Sequence, residues 1–137
     1  MKNLEKILND NDVEFFPINA NCVTCDMSRI TECTLDVRFE KFECLNSYQA
    51  SICLMVDGAW VNGVPMELFK IMNAYNDFFI PQLTYDTSDN VLTVSLLFDT
   101  PSIDRLKSSA SACCDTIERF LRDPEVQEMI GCLFSPC

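Results

Sequence analysis

Apolar and polar residues alternate along the middle of the chain in the way that β-strands require. From residue 34 the alternation runs through Phe39, with charged residues in between, and predicts a half-buried strand. It slips at Phe42, which predicts a bulge or tight bend near residues 40–41. The next strand, over residues 48–56, is largely apolar on both faces, so we expect it to be central and covered on both sides.

The region before these two strands is less regular. Residues 13–18 have the β-branched and aromatic character of a strand, and Pro17 places that strand at a sheet edge. Residues 19–33 carry no clear period, and residues 22–27 within them fit either a strand or part of an inserted loop. At the N-terminus, apolar residues at helical spacing predict a short helix over about residues 2–9.

Helical spacing returns after two turn signals, at residues 57–58 and 62–63. Pro65 suits the first position of a helix and the next proline ends it, so a second helix should cover about residues 65–79. At 100° per residue, one arc of this helix collects most of its apolar side chains and should face the sheet. They are Leu68, Ile71, Met72, Tyr75, Phe78 and Phe79.

A β-hairpin is predicted next, with strands near residues 82–86 and 91–99. The polar residues 87–90 between them suit the positive φ angles of a tight turn. One face of the second strand is apolar throughout and should be buried. It consists of Leu92, Val94, Leu96 and Phe98.

A long helix follows the hairpin and begins at a cap supplied by Thr100 or Ser102. Its apolar residues recur at steps of three and four, so one face of the helix should be buried. They are Ile103, Leu106, Ala110, Cys113, Ile117 and Phe120. An Asp-Pro pair then starts a short last helix over residues 125–130, and residues 131–137 are predicted to be a tail.

This order of elements predicts the fold class. A helix, three or more strands, a helix, two strands and a helix are typical of an α+β protein whose antiparallel sheet packs against helices. The 137 residues fit one domain, 1–137, and no Gly/Ser-rich linker divides them.

Charge and composition narrow the range of functions. Ten Lys and Arg stand against twenty-one Asp and Glu, a formal net charge of −11. Binding to nucleic acid or to an anionic membrane is therefore not expected, because both depend on clustered cations. The chain contains no histidine, which removes the commonest general base and every imidazole metal site. We expect a protein that is not an enzyme and needs no cofactor.

Nine cysteines are the remaining source of chemistry. Their odd number, and the lack of a secretory signal or a long apolar run, predict a cytoplasmic protein with mostly reduced thiols. The Cys22-x-x-Cys25 spacing could bind a metal or act as a redox dithiol, with Cys33 and Cys44 completing a zinc site. No helix signal follows Cys25 and the second pair is widely spaced, so a cysteine-based metal or redox protein is the alternative hypothesis.

The predicted second helix also carries apolar residues on its outer side. Met66 and Phe69 point away from the core-facing arc, beside the amides of Asn73 and Asn76. These four residues predict a surface for a dimer or another partner. The two asparagines have a simpler explanation as well, since polar residues late in a helix can bond its terminal carbonyls.

Residues 67–76, followed by Pro-Gln-Leu-Thr-Tyr, a polar turn, an apolar strand and a long helix, resemble the YbjN-like family. Its members are labelled bacterial sensory transduction regulators, and their fold is similar to that of class I type III secretion chaperones. The resemblance covers roughly residues 48–122, with Asn73-x-x-Asn76 as its sharpest motif, and the chain departs from the family pattern over residues 19–33 and in its many cysteines. It implies a non-catalytic adaptor or chaperone-like homodimer with a protein or peptide client.

Overall fold

A computed structural model describes residues 1–56, 63–130 and 134–136 of the chain. Within them lie four α-helices: α1 (Lys2–Asp10), α2 (Met66–Phe78), α3 (Ile103–Arg122) and α4 (Pro124–Ile130). The seven strands there are β1 (Glu14–Asn19), β2 (Cys22–Asp26), β3 (Val37–Phe42), β4 (Ser47–Val56), β5 (Gln82–Asp86), β6 (Val91–Phe98) and β7 (Phe134–Pro136). A 3₁₀ turn, Glu43–Leu45, joins β3 to β4.

All the strands join one antiparallel sheet. The order across the sheet is β1-β2-β3-β4-β6-β5, so β4 is central and β1 and β5 are the outer strands. β7 pairs with Leu54–Val56 of β4, beyond the stretch of β4 that pairs with β3. The predicted α+β class with an antiparallel sheet and helices is confirmed, as is the edge position of the strand that carries Pro17.

One side of the sheet, which we call the covered face, holds the core. Directly paired residues point to the same side, so Val23, Phe39, Ala50 and Leu96 form one row across four strands. Three of them are fully buried and Leu96 partly so. α3 packs across β4 and β6 with the predicted apolar stripe, and the Cys113 thiol lies 3.8 Å from the Ala50 carbonyl oxygen. All of the stripe is buried except its first residue.

The other side, which we call the open face, is different. Its central row is Thr24, Arg38, Ser51, Ser95 and Gln82. The exposed side chains of Phe16, Met55 and Leu97 also lie on it, since they alternate with covered-face residues. The prediction that the strand over residues 48–56 is covered on both sides is therefore wrong in part. The strand is central, but its second face begins with Gln49 and Ser51 and is not apolar throughout.

The predicted bulge near residues 40–41 is also wrong. β3 pairs with β4 in one unbroken register, from Arg38 opposite Ser51 to Phe42 opposite Ser47. The apparent slip arises because Lys41 takes the covered-face position and the apolar Phe42 lies on the open face, while Cys44 belongs to the 3₁₀ turn and not to a strand. The chain reverses one residue after that turn, at Asn46, whose φ of 48° is left-handed.

Local signals elsewhere were accurate. Asn90 closes the β5–β6 hairpin with a φ of 55°. The Ser102 hydroxyl accepts a hydrogen bond from the Arg105 N–H at 3.1 Å and so caps α3. Asp123 accepts one from the Glu125 N–H at 3.0 Å at the start of α4. Residues 22–26 form a strand, which decides between the two readings of that segment.

Two predictions near the less regular segments have mixed outcomes. The predicted tail includes β7, so part of it joins the sheet. The turn signals at residues 57–58 and 62–63 lie outside the described residues except for Gly63, which has a φ of 77°. No helix among the described residues is both long and apolar enough to cross a membrane.

Candidate protein-interaction surface

Asn76 joins α2 to the outer strand β5. Its Nδ2 donates to the Leu83 carbonyl at 3.0 Å, and its Oδ1 accepts from the Leu83 N–H at 2.7 Å. The amide thus occupies the outer side of β5 at Leu83, where a further strand would pair. The carbonyls at the end of the helix are not its partners, so neither sequence-based explanation of this residue predicted the contact.

Phe69 also faces β5. Its ring meets that of Tyr85 edge to face, with centroids 6.2 Å apart at 84°, and its side chain is partly buried. Met66, 71% exposed, and Asn73 lie free on the outer side of the helix. Two of the four predicted surface residues therefore hold α2 against β5, and two are accessible. Their role in a dimer or partner contact stays a prediction.

The C-terminal end of α2 adds apolar surface that the sequence analysis missed. Phe78 and Ile80 are 86% and 80% exposed, and Leu97 on β6 is 60% exposed. Leu97 alternates with covered-face residues on β6, so it lies on the open face of the sheet, on the side opposite α2. Phe78 was expected in the core-facing arc, and that expectation is wrong.

An aromatic cluster explains why Phe78 is excluded from the core. Tyr75 stacks on Phe79 at 5.6 Å and meets Phe120 edge to face at 5.5 Å, which fills the space at this end of the helix. The Tyr75 hydroxyl lies 3.0 Å from an Asp123 oxygen and 3.2 Å from the Arg119 carbonyl. Burial, and then the Asp123 carboxylate, raise the pKa of Tyr75 to about 12. The cluster fixes the end of α2 to α3 and to the start of α4.

The seven cysteines that the structure describes do not assemble into a reactive site. Cys22 and Cys25 are three positions apart on β2, so they point to opposite faces: Cys22 pairs with Glu40 on the open face, and Cys25 with Val37 on the covered face. Burial raises the pKa of the Cys25 thiol to about 12, whereas a redox thiol needs a lowered pKa. The cysteine-based alternative is not supported.

The remaining predicted ligands are also dispersed. Cys33 is buried and donates to the Leu35 carbonyl at 3.4 Å, while Cys44 is exposed in the 3₁₀ turn. Across the residues that the structure describes, no group of three or more Cys, Asp or Glu is placed to hold a metal ion. The seven cysteines described are free thiols, and Cys132 and Cys137 lie outside the described residues.

These features define a class of protein: an α+β fold with its helices on one face of an antiparallel sheet, and exposed apolar residues at both ends of the second helix. A solved structure with this fold is that of YbjN from E. coli, described as "a putative transcription regulator". The match has a TM-score of 0.66 and 15% sequence identity, and it covers 99% of this chain and 95% of that chain. The resemblance to YbjN is thereby supported at the level of the fold.

The similarity is structural only. No protein-family model matches the chain, and no curated protein matches its sequence.

Proposed function

We propose that this chain is a YbjN-like, non-catalytic interaction protein that works as a homodimer, in a regulatory or chaperone-like role. The observation that carries the proposal is the exposed apolar surface of α2 and the residues after it. Met66 and Phe78, at opposite ends of the helix, are about 18 Å apart at 1.5 Å per residue. Large exposed apolar side chains at the two ends of one helix are typical of a surface that contacts another protein.

The strand edges favour a contact through side chains over one through strand pairing. Asn76 occupies the outer side of β5 at Leu83. On the other outer strand, Pro17 has no N–H with which to pair. Natural sheets use such devices to prevent edge-to-edge association. A partner is therefore expected on the outer surface of α2, with Phe69 and Asn76 holding the helix in place beneath it.

The thiols support the non-catalytic part of the proposal and a reducing, cytoplasmic setting. Burial raises the pKa of Cys113 to about 12, as it does for Cys25, so neither thiol is activated as a nucleophile. The described cysteines are unpaired, as thiols in the cytoplasm usually are.

The mass in solution tests this proposal. Gel filtration with light scattering, in excess reductant and at two protein concentrations, should give about twice 15.6 kDa. Met66→Asp should shift the protein toward the monomer, because a carboxylate cannot be buried in the contact without a partner. Leu45→Asp is the matched control, since Leu45 is as exposed as Met66 (71% each) but lies in the 3₁₀ turn. A monomeric wild-type chain, or an equal effect of both variants, would contradict the proposed homodimer.

A further inference from the structure

The open face carries an excess of negative charge. By alternation along their strands, carboxylates from β1, β2, β3 and β5 point to this side, and Arg38 is the cation among them. They are Glu14, Asp26, Glu40 and Asp86, joined by Asp36 just before β3. Arg29, a cation near the β1 edge, donates to the Asp12 carbonyl at 3.1 Å. The face therefore presents an acidic surface even around its one central guanidinium.

Apolar side chains stand at the two ends of the same face. Phe16 and Ile18 are exposed on the outer strand β1, and Leu97 is exposed on β6 toward the opposite side of the sheet; Met55, also exposed, lies on the central strand β4. Between them lies the central row of the open face, which consists mostly of small polar residues. These short side chains form a shallow depression between the apolar residues on either side. Beside Arg38 a cavity of about 300 Å³ is partly lined by Ile18. Its volume suffices for one or two large side chains of a partner.

The charge distinguishes between occupants of this face. A second copy of the chain, packed face to face, would bring the carboxylates of Asp36 and Glu40 against the same acidic surface and be repelled. Nucleic acid and anionic lipid carry the same sign of charge and are repelled as well. Lys or Arg side chains are complementary to the face, and apolar side chains fit its two ends.

We infer that the open face docks a basic amphipathic segment of a partner protein. Its Lys and Arg residues would lie beside Asp36 and Glu40, and its apolar residues would contact Phe16 and Leu97. This inference rests on the proposed function, since it specifies the chemistry of the client that the adaptor would bind. The client surface is then distinct from the homodimer surface on α2.

Binding of a designed peptide tests the inference. The probe is a fluorescent synthetic peptide of Lys and Leu with the amphipathic period of a helix, followed by anisotropy. It should bind the wild-type chain, and its dissociation constant should rise about tenfold between about 50 mM and about 300 mM salt because exposed charges are screened. The same peptide with Glu in place of each Lys should not bind. Failure of the Lys peptide to bind, or equal binding of both peptides, would overturn the inference.

Charge-reversal variants test the location. The double variant Asp36→Lys/Glu40→Lys should weaken binding of the Lys peptide about tenfold, since two attractive contacts become repulsive. Asp115→Lys/Glu128→Lys makes the same change in net charge at exposed positions on α3 and α4 and should leave the affinity within about twofold. An equal loss in both would show that only net charge matters and would overturn the assignment to the open face.

Variants of the exposed apolar residues, together with the mass of the protein in solution, complete the experiment. Phe16→Ser/Leu97→Ser should weaken peptide binding about tenfold, whereas Leu45→Ser, away from the face, should not. Each sample is also measured by light scattering and by urea denaturation, which confirms that the variants fold. If the chain is a dimer but does not bind the peptide, this inference is overturned and the homodimer stands. If the chain is a monomer that binds the peptide, the proposed homodimer is overturned and this inference stands. A change of mass in Phe16→Ser/Leu97→Ser would assign the face to a second copy and overturn the inference.

Discussion

The two faces of the sheet are built from the same strands but have opposite character. On β4, Ala50 and Ile52 are buried against α3, while the residues between and beyond them, Ser51 and Cys53, belong to a face on which Met55 is exposed. Since neighbouring positions on a strand point to opposite sides, a period of two is enough to specify both surfaces. The difference shows that stability resides in one face and leaves the other free for contacts.

Charge follows the same division. The covered face has few ionisable groups other than thiols, and burial raises the pKa of two of these thiols, Cys25 and Cys113, to about 12. On the open face, the described strands carry carboxylates and one guanidinium, which are partly or fully exposed. A buried charge is costly and an exposed one is not, so each face has the residues that its environment permits.

Substituting the same residue type on each face tests this division most directly. Phe39 is fully buried and meets Phe98 edge to face at 6.3 Å, so Phe39→Ala should lower the free energy of unfolding by about 3–5 kcal/mol. Phe16→Ala, on the open face, should change it by less than about 0.5 kcal/mol. Urea denaturation of both variants measures the difference. Similar losses would mean that the open face is part of the core.

Alkaline pH should lower the free energy of unfolding, because two thiols are buried on the covered face. The pKa of Cys25 and of Cys113 is raised from 9.0 to about 12 in the folded chain. Below pH 9 both states keep these protons and stability is full; above it the unfolded state releases them first, so stability falls between about pH 9 and about pH 12. The loss is about 1.4 kcal/mol per pH unit for each thiol.

Urea midpoints at several pH values measure this slope. Cys25→Ala should reduce the slope of unfolding free energy against pH by the contribution of one thiol, whatever its effect on stability at neutral pH. An unchanged slope in Cys25→Ala would show that this thiol ionises as readily in the folded chain as in the unfolded one.

The contribution of the contact between α2 and the outer strand β5 to stability can be measured with two asparagines of α2. Asn76→Ala removes both hydrogen bonds to the backbone of buried Leu83 and should cost about 2 kcal/mol. Asn73→Ala, one turn earlier and exposed, should change stability by less than about 0.5 kcal/mol. Thermal or urea unfolding distinguishes them. Equal effects would mean that the Asn76 amide does not stabilise the edge.

A polar group inside the covered layer should have the opposite effect when removed. The Ser109 hydroxyl on α3 is buried and has no hydrogen-bond partner in the described chain, so Ser109→Ala should stabilise the protein by about 1 kcal/mol. Ser108→Ala, exposed on the same helix, controls for the higher helix propensity of alanine. A gain no larger than that of Ser108→Ala would indicate that the buried hydroxyl carries no penalty.

Most of the architecture could be predicted because its signals are local. The alternation through Phe39, the positive φ of Asn90 and the cap at Ser102 each depend on a few neighbouring residues. The errors came where a local pattern had two explanations. The slip after Phe42 fits a bulge or the end of a strand, and only the pairing with β4 distinguishes them.

The candidate site was harder to predict because its contacts are distant in sequence. Tyr75 and Asp123 are 48 positions apart, and nothing in either neighbourhood indicates the bond. A helical projection placed Phe78 in the core-facing arc, which was wrong, because the projection cannot show that Tyr75 and Phe79 stack together and fill the space at that end of the helix. The acidic open face was not predicted either, because the strand over residues 48–56 was expected to be covered on both sides; the alternating Asp36, Arg38 and Glu40 were its local sign.

The position of β4 in the sheet has a consequence for synthesis on the ribosome. β1 to β4 form a continuous antiparallel series that can pair as soon as it emerges, but β6 and α3, which cover the other edge and the apolar face of β4, come later. At about 5–20 residues per second, the chain between Val56 and Arg122 takes roughly 3–13 s to make. During that interval β4 is paired only with β3, so its second edge and its apolar face stay open to unwanted contacts with other chains.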